Sequence, residues 1–272
     1  MRYSLRLFKK LWKGKVMATL ITGASSGIGE EFTRRYAAQK HDLVLVARNK
    51  DKLNALADEM RTKHEIEVTT IPLDLSEFDA AERLWNETTR AGLEIDVLVN
   101  NAGFGTQCDV ADDDPERLEK EVRLNCLAVV GITARYLSTM RERHHGTIIN
   151  ISSTAAFQPM PHMAVYGATK SFVLSFTEAL WRETKNDGIR VLAVCPGSTD
   201  TSFFESPDGG IVVGKVGKLR STKQVLDNTM RALKTNKPSF VDGLQNAFVA
   251  RVVTRVIPTR IMLEAVERIF RR

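Results

Sequence analysis

The chain has 272 residues, 43% of them hydrophobic and 26% charged, and a net charge of +6. This is enough apolar material for a large folded core. With no uncharged apolar run of about 18 residues, a transmembrane helix is not expected. Residues 1–16 carry six basic side chains and no acid, and residues 251–272 carry six arginines against Glu264 and Glu267, so the body between them is acidic. A body without a basic stripe excludes the usual nucleic-acid-binding classes.

The N-terminal segment, MRYSLRLFKKLWKGKV, has no continuous apolar stretch of the secretory kind. Its mixture of bulky apolar and basic residues suits a helix lying on a membrane surface. It equally suits a tail, or a chain whose true start is Met17. Cys108, Cys126 and Cys195 are odd in number and widely separated, which predicts a reduced, cytoplasmic setting and no metal site.

From Met17 to about residue 250 short β-branched runs alternate with amphipathic ones. Strands are predicted at 18–22, 42–47, 67–73, 96–101, 146–152, 190–196 and 238–242. The stretches between them have the length of crossover helices, so an α/β fold follows: a doubly wound parallel sheet in three layers, as one domain.

The first predicted strand runs into TGASSGIG, residues 22–29, and then a helix. Gly23, Gly27 and Gly29 allow a sharp turn, a close backbone approach to a pyrophosphate and helix–sheet packing, with the helix N-terminus facing the anion. Strand, loop and helix stand in the order of a Rossmann-type dinucleotide site, which predicts cofactor contacts from Thr22, Gly23, Ser25, Ser26, Gly27, Ile28 and Gly29. The second strand ends in Ala47 and Arg48 rather than an acid. An arginine there can pair with a ribose 2′-phosphate that a carboxylate would repel, which favours NADP(H) over NAD(H). Asp74, after the third strand, can accept from an adenine amino group, or cap a helix starting near Ser76. Asn100 and Asn101 can hydrogen-bond backbone across neighbouring strands, with Ala102 and Gly103 letting a cofactor lie close.

Beyond the fifth strand come Ser152, Ser153, Tyr166 and Lys170. A tyrosine moves protons at neutral pH only with a cation near its phenol, and Lys170 stands one helical turn further on. Ser153 can hold a substrate oxygen, and Asn125 can anchor a water leading to Lys170.

Taken together, TGASSGIG, NNAG, Asn125, Ser153, YGATK and the Pro196–Gly197 pair resemble the classical short-chain dehydrogenase/reductase family over residues 17 to about 205. The resemblance implies an Asn125–Ser153–Tyr166–Lys170 tetrad. It also implies cofactor contacts that include Tyr166, Lys170, Pro196, Gly197, Thr199 and Thr201, the last on the nicotinamide amide. Ser26 stands where many NADP-preferring members carry a second basic residue.

A substrate loop is expected at about 197–220, around Phe203 and Phe204, with Met160, His162 and Met163 as the facing wall. Residues 251–272 form a basic, apolar segment open to three readings: a membrane-facing helix, a dimer contact, or a flap over the site. The expected activity is interconversion of a carbonyl and a secondary alcohol on a small hydrophobic or lipid-like substrate. A 3-oxoacyl-thioester reductase is the alternative enzyme, and a non-catalytic dinucleotide sensor or scaffold the alternative of another class. The expected assembly is a homodimer or homotetramer, with peripheral membrane contact through the basic ends left open.

Overall fold

The computed structural model describes residues 16–201, 203 and 219–270. The basic extension up to residue 15, Ser202, residues 204–218 of the expected substrate loop, and Arg271 and Arg272 lie outside the described residues.

In chain order the elements are β1 (Val16–Thr22), α1 (Gly27–Ala38), β2 (Asp42–Ala47), α2 (Lys50–His64), β3 (Val68–Pro72), α3 (Ala80–Arg90) and β4 (Leu93–Asn100). There follow α4 (Pro115–Val122), a π turn (Arg123–Leu127), α5 (Ala128–Arg143), β5 (Gly146–Ile151), a 3-10 turn (Thr154–Phe157), α6 (Ala164–Glu183) and β6 (Ile189–Cys195). The chain ends with α7 (Thr222–Ala232), β7 (Ser239–Val241), α8 (Leu244–Phe248), a second π turn (Val249–Val253), α9 (Thr254–Val256) and α10 (Thr259–Phe270).

All seven expected strands form, in one sheet of order β3-β2-β1-β4-β5-β6-β7 with every pairing parallel. Strand period two sends successive side chains into opposite layers. Ile21, Val99, Ile149 and Leu192 pack with Phe32 of α1, Leu53 of α2 and Val225 of α7. Their neighbours Leu20, Leu98, Ile148 and Val191 pack with Leu84 of α3, Ile132 of α5 and Leu180 of α6. Both faces are therefore covered. The chain reverses its direction of travel across the sheet between β1 and β4, which opens a crevice at their carboxyl ends.

Two expectations need correction. Val16 belongs to β1 rather than to the N-terminal extension, because it pairs with Leu93, and β4 correspondingly starts three residues earlier than its apolar run suggests. The Asn100 side chain makes no backbone hydrogen bond among the described residues. Its Nδ2 donates to Thr133 Oγ1 (3.0 Å) and Asn150 Oδ1 (2.8 Å), and Asn150 Nδ2 donates on to Thr177 Oγ1 (2.9 Å). This chain of buried amides ties β4 and β5 to α5 and α6. Among the described residues no helix is long and apolar enough to cross a membrane.

Leu98 is fully buried in β4. Leu98→Ala leaves a void that the packed helices cannot fill, so urea unfolding should show a loss of about 2–5 kcal/mol.

Candidate active site

The crevice is an open cavity of about 1560 Å³ over the carboxyl ends of the strands. Its floor at one end is the turn from β1 into α1. Gly23 and Gly27 both have positive φ, and a side chain on Gly29 would collide with the carbonyl oxygen of Gly23. Ser26 is the N-cap of α1 but makes no side-chain capping bond. The first-turn N–H groups and the positive end of the helix dipole are thereby available to an anion. Gly23, Ser25, Ser26, Gly27 and Ile28 line this end, while Thr22 and Gly29 sit behind the lining.

Thr22 has a different task. Its hydroxyl donates to Val99 O (3.3 Å) and accepts from the N–H groups of Asn101 (2.9 Å) and Ala102 (3.0 Å). Asn101 Nδ2 returns bonds to Thr22 O (3.0 Å) and Gly23 O (3.2 Å). Asn101 thus makes the backbone bonds expected of it, and Asn101, Ala102 and Gly103 face the cavity. Arg48 and Asp74 also line it. Asp74 Oδ1 accepts from the N–H (2.9 Å) and hydroxyl (2.6 Å) of Ser76, and its Oδ2 lies 3.4 Å from Lys120 Nζ. What it caps is a turn, since α3 starts only at Ala80.

At the other end the cavity meets Ser153, Tyr166 and Lys170, together with Pro196, Gly197, Thr199 and Thr201. Ser153 opens the 3-10 turn after β5, its hydroxyl accepting from Ala155 N (3.1 Å) and hydrogen-bonding the Tyr166 phenol. Tyr166 and Lys170 stand one turn apart on α6. Ser152, the other serine of the pair, instead donates to Lys170 O (2.7 Å) and fixes α6 to β5. Lys170 Nζ donates to Ile151 O (3.1 Å) and lies 5.7 Å from the Tyr166 ring centroid.

The electrostatics are dominated by burial. It pushes the Tyr166 phenol up to about 12, with the Ser153 bond opposing and Glu121 adding to the rise. It pulls Lys170 down to about 8, against Cys126 and Glu121, which favour the ammonium. Both groups are held toward their neutral forms.

Asn125 lies behind the wall, in the π turn between α4 and α5. Its Nδ2 donates to Phe104 O (2.8 Å) and Thr169 Oγ1 (3.1 Å), and its Oδ1 accepts from Phe104 N (3.2 Å). Its side chain is occupied in holding the β4–α4 loop. The insertion of a π turn at this residue marks a helix locally adjusted to its neighbours. His162, expected in the wall, pairs with Asp109 (2.6 Å) and does not line the cavity, whereas Met160 and Met163 do. The rings of Phe203 and Tyr166 are 5.8 Å apart.

Three further features shape this end of the cavity, and of these only the flap formed by the C-terminal segment was among the readings open in the sequence. Gly105 lies against Tyr166: a Cβ there would sit 2.6 Å from ring Cδ2. The C-terminal helix α10 covers the cavity with Met262, Val266 and Phe270, packed on Met160, Met163 and Tyr166. Glu121 of α4 is fully buried; Oε2 accepts from Thr106 N (3.2 Å) and Oγ1 (2.6 Å), and Oε1 has no hydrogen bond among the described residues. No local signal marked Gly105 or Glu121, and none ranked the flap above its two alternatives, because each depends on elements far apart in the chain.

The profile of the family described as short chain dehydrogenase matches residues 17–208. The chain belongs to that family and is a short-chain dehydrogenase/reductase, an oxidoreductase whose members bind nicotinamide dinucleotides. Over 182 residues it is 36% identical to the human very-long-chain 3-oxoacyl-CoA reductase, covering 65% of this chain and 57% of that protein. The chain therefore spans less than two thirds of that relative's length. The solved structure of a short-chain dehydrogenase from Sphingobium yanoikuyae in complex with NADPH is 32% identical, with a TM-score of 0.79 and coverage of 85% and 89%. The bulky-bulky ketone specific alcohol dehydrogenase from Comamonas testosteroni is 26% identical, with a TM-score of 0.74 and coverage of 90% and 96%.

Burial pushes Glu121 up from 4.5 to about 7, with Asp113 adding and Thr106 and Lys170 opposing. A carboxyl that binds its proton more tightly when folded stabilises fully below the unfolded value and loses that stabilisation as pH rises through the folded one. Between pH 5 and 8 the wild type should therefore lose about 2 kcal/mol relative to Glu121→Gln, read from urea unfolding at each pH.

Proposed function

We propose that the protein is an NADP(H)-dependent reductase that interconverts a hydrophobic carbonyl compound and its secondary alcohol. The observation that carries this reading is a single cavity joining the anion-binding turn of α1 and Arg48 to Ser153, Tyr166 and Lys170. The residues present fit the dinucleotide. An uncapped helix N-terminus would hold the pyrophosphate, and the close approach of Gly23 and Gly29 to their neighbours leaves the backbone bare there. Arg48 supplies a cation for the 2′-phosphate. The bound cofactor supplies or accepts the hydride.

The chain's own groups manage the proton and the orientation. Ser153 donates to the substrate oxygen and holds it beside the phenol. Tyr166, protonated at neutral pH, delivers its proton to that oxygen during reduction. Lys170, held down to about 8 and so still mainly ammonium at neutral pH, lies close enough to favour the phenolate left behind. Asn125 keeps the loop at residues 103–105 against Tyr166 and Lys170. Thr199 and Thr201 line the same end of the cavity as Tyr166 and would border the nicotinamide.

Met160, Met163, Met262, Val266 and Phe270 form an apolar wall, which supports a bulky hydrophobic substrate over a charged one. A second reading, 3-oxoacyl-thioester reduction, is favoured by the name of the human relative. We assign the domain to residues 16–250, with the substrate loop at about 197–220 and the segment from residue 251 closing the site. Assembly as a homodimer or homotetramer is supported by Val122, Leu127 and Phe172, large apolar residues exposed on α4, the π turn and α6.

A panel of bulky ketones, 3-oxoacyl thioesters and phosphorylated sugars, followed by NADPH absorbance, separates these readings. Turnover confined to the sugars would remove both. Tyr166→Phe should lower kcat by about 10²–10⁴ while NADPH titrates normally. Arg48→Asp should shift the NADPH/NADH preference at least about tenfold toward NADH.

A further inference from the structure

The segment after β7 has one face on the cavity and another that nothing covers. In α10, Met262, Val266 and Phe270 point inward. The next stripe round the helix, Ile261, Ala265 and Ile269, is exposed, and Ala265 and Ile269 border the cavity. Beyond it runs a charged stripe, Arg260, Glu264 and Arg268. The order is inward apolar, outward apolar, then basic, which is the profile of a helix seated at a lipid–water boundary.

The preceding helices also expose large apolar side chains. Leu244 is 93% exposed, Phe248 60% and Val256 72%, against a background in which large apolar residues are mostly buried. Leu244 also lines the cavity, so exposed apolar side chains of both α8 and α10 border its mouth. Residues 244–270 contain four arginines, two glutamates, and no lysine or aspartate. Arg251 is turned inward onto Ser239 O (3.0 Å), and Arg260 lies 3.7 Å from Glu264. Arg255 and Arg268 have no partner among the described residues.

We propose that this face, from α8 through α10, seats the protein on an anionic bilayer with the cavity mouth against the lipid. A basic rim round an apolar patch complements anionic headgroups above acyl chains. A second copy is the poorer occupant, because a twofold contact would set this net-basic face against itself. The proposed hydrophobic substrate would then pass from bilayer to cavity without crossing water, a clause that rests on the functional reading above; the docking itself does not.

The test is co-sedimentation of the full chain with phosphatidylcholine vesicles and with vesicles containing about one third phosphatidylserine. Binding should favour the anionic vesicles and weaken as salt is raised. Val256→Asp combined with Ile261→Asp, both exposed and outside the cavity lining, should lower partitioning at least tenfold. Arg255→Glu with Arg268→Glu should lower it on anionic vesicles only. Wild-type partitioning in the variants would overturn the proposal and assign any binding elsewhere in the chain. Loss of a wild-type oligomer in Val256→Asp/Ile261→Asp, read by sedimentation equilibrium, would overturn it in favour of a second copy. Turnover of a water-soluble ketone by the same variants keeps the two readings apart. Vesicle binding without ketone turnover in the wild type would leave the docking standing and count against the reductase.

Discussion

The short loop leaving β4 is the constraint on which the rest of the site depends. On one side Thr22 and Asn101 exchange bonds that fix its first two residues to the turn of the dinucleotide loop. On the other, Asn125 grips Phe104 through both its N–H and its carbonyl, and Gly105 lies under the Tyr166 ring. Five consecutive residues thus set the distance between the cofactor end and the proposed proton donor. The buried Asn100–Asn150–Thr177 chain holds the root of that loop. Unmet amide groups at this depth would cost about 1–3 kcal/mol each, so the geometry is strongly specified.

The same burial that specifies the geometry sets its chemistry. Tyr166 is pushed up to about 12 and Lys170 down to about 8, so neither is held charged by its surroundings. Glu121 belongs to the same low-dielectric region and acts electrostatically on both. Tyr166, Lys170 and this hidden carboxyl are thus near enough to bias one another's protonation. On the outer side the wall is apolar, built jointly by Met160 and Met163 before α6 and by α10 at the end of the chain.

What was legible in the sequence was what is local. The seven strands were readable because period and β-branching are properties of five or six neighbouring residues. The glycine turn after β1, Ser153 and the Tyr166–Lys170 pair could be picked out because each motif lies on one short stretch, and all of them border the one cavity. Strand edges were not, since Val16 and Leu93 become sheet only through each other. Asn100 was placed correctly but given the wrong partner, because its bonds go to α5 and β5. His162 sits among wall residues in sequence, yet a left-handed backbone there accompanies its turn toward Asp109. The role of Gly105, the burial of Glu121 and the covering by α10 depend wholly on tertiary contacts. The resemblance to short-chain dehydrogenases supplied the family; the packing supplied these neighbours.

The account turns on Tyr166 acting at the position that the β4 loop gives it. Gly105→Ala tests that directly, because the added methyl would meet the Tyr166 ring at 2.6 Å and its three nearest atoms all belong to that ring. Steady-state kinetics and NADPH titration on one preparation should give a kcat lowered at least about tenfold, with NADPH affinity within about twofold of wild type. A Gly105→Ala enzyme that is folded, binds NADPH and turns over at the wild-type rate would contradict the account.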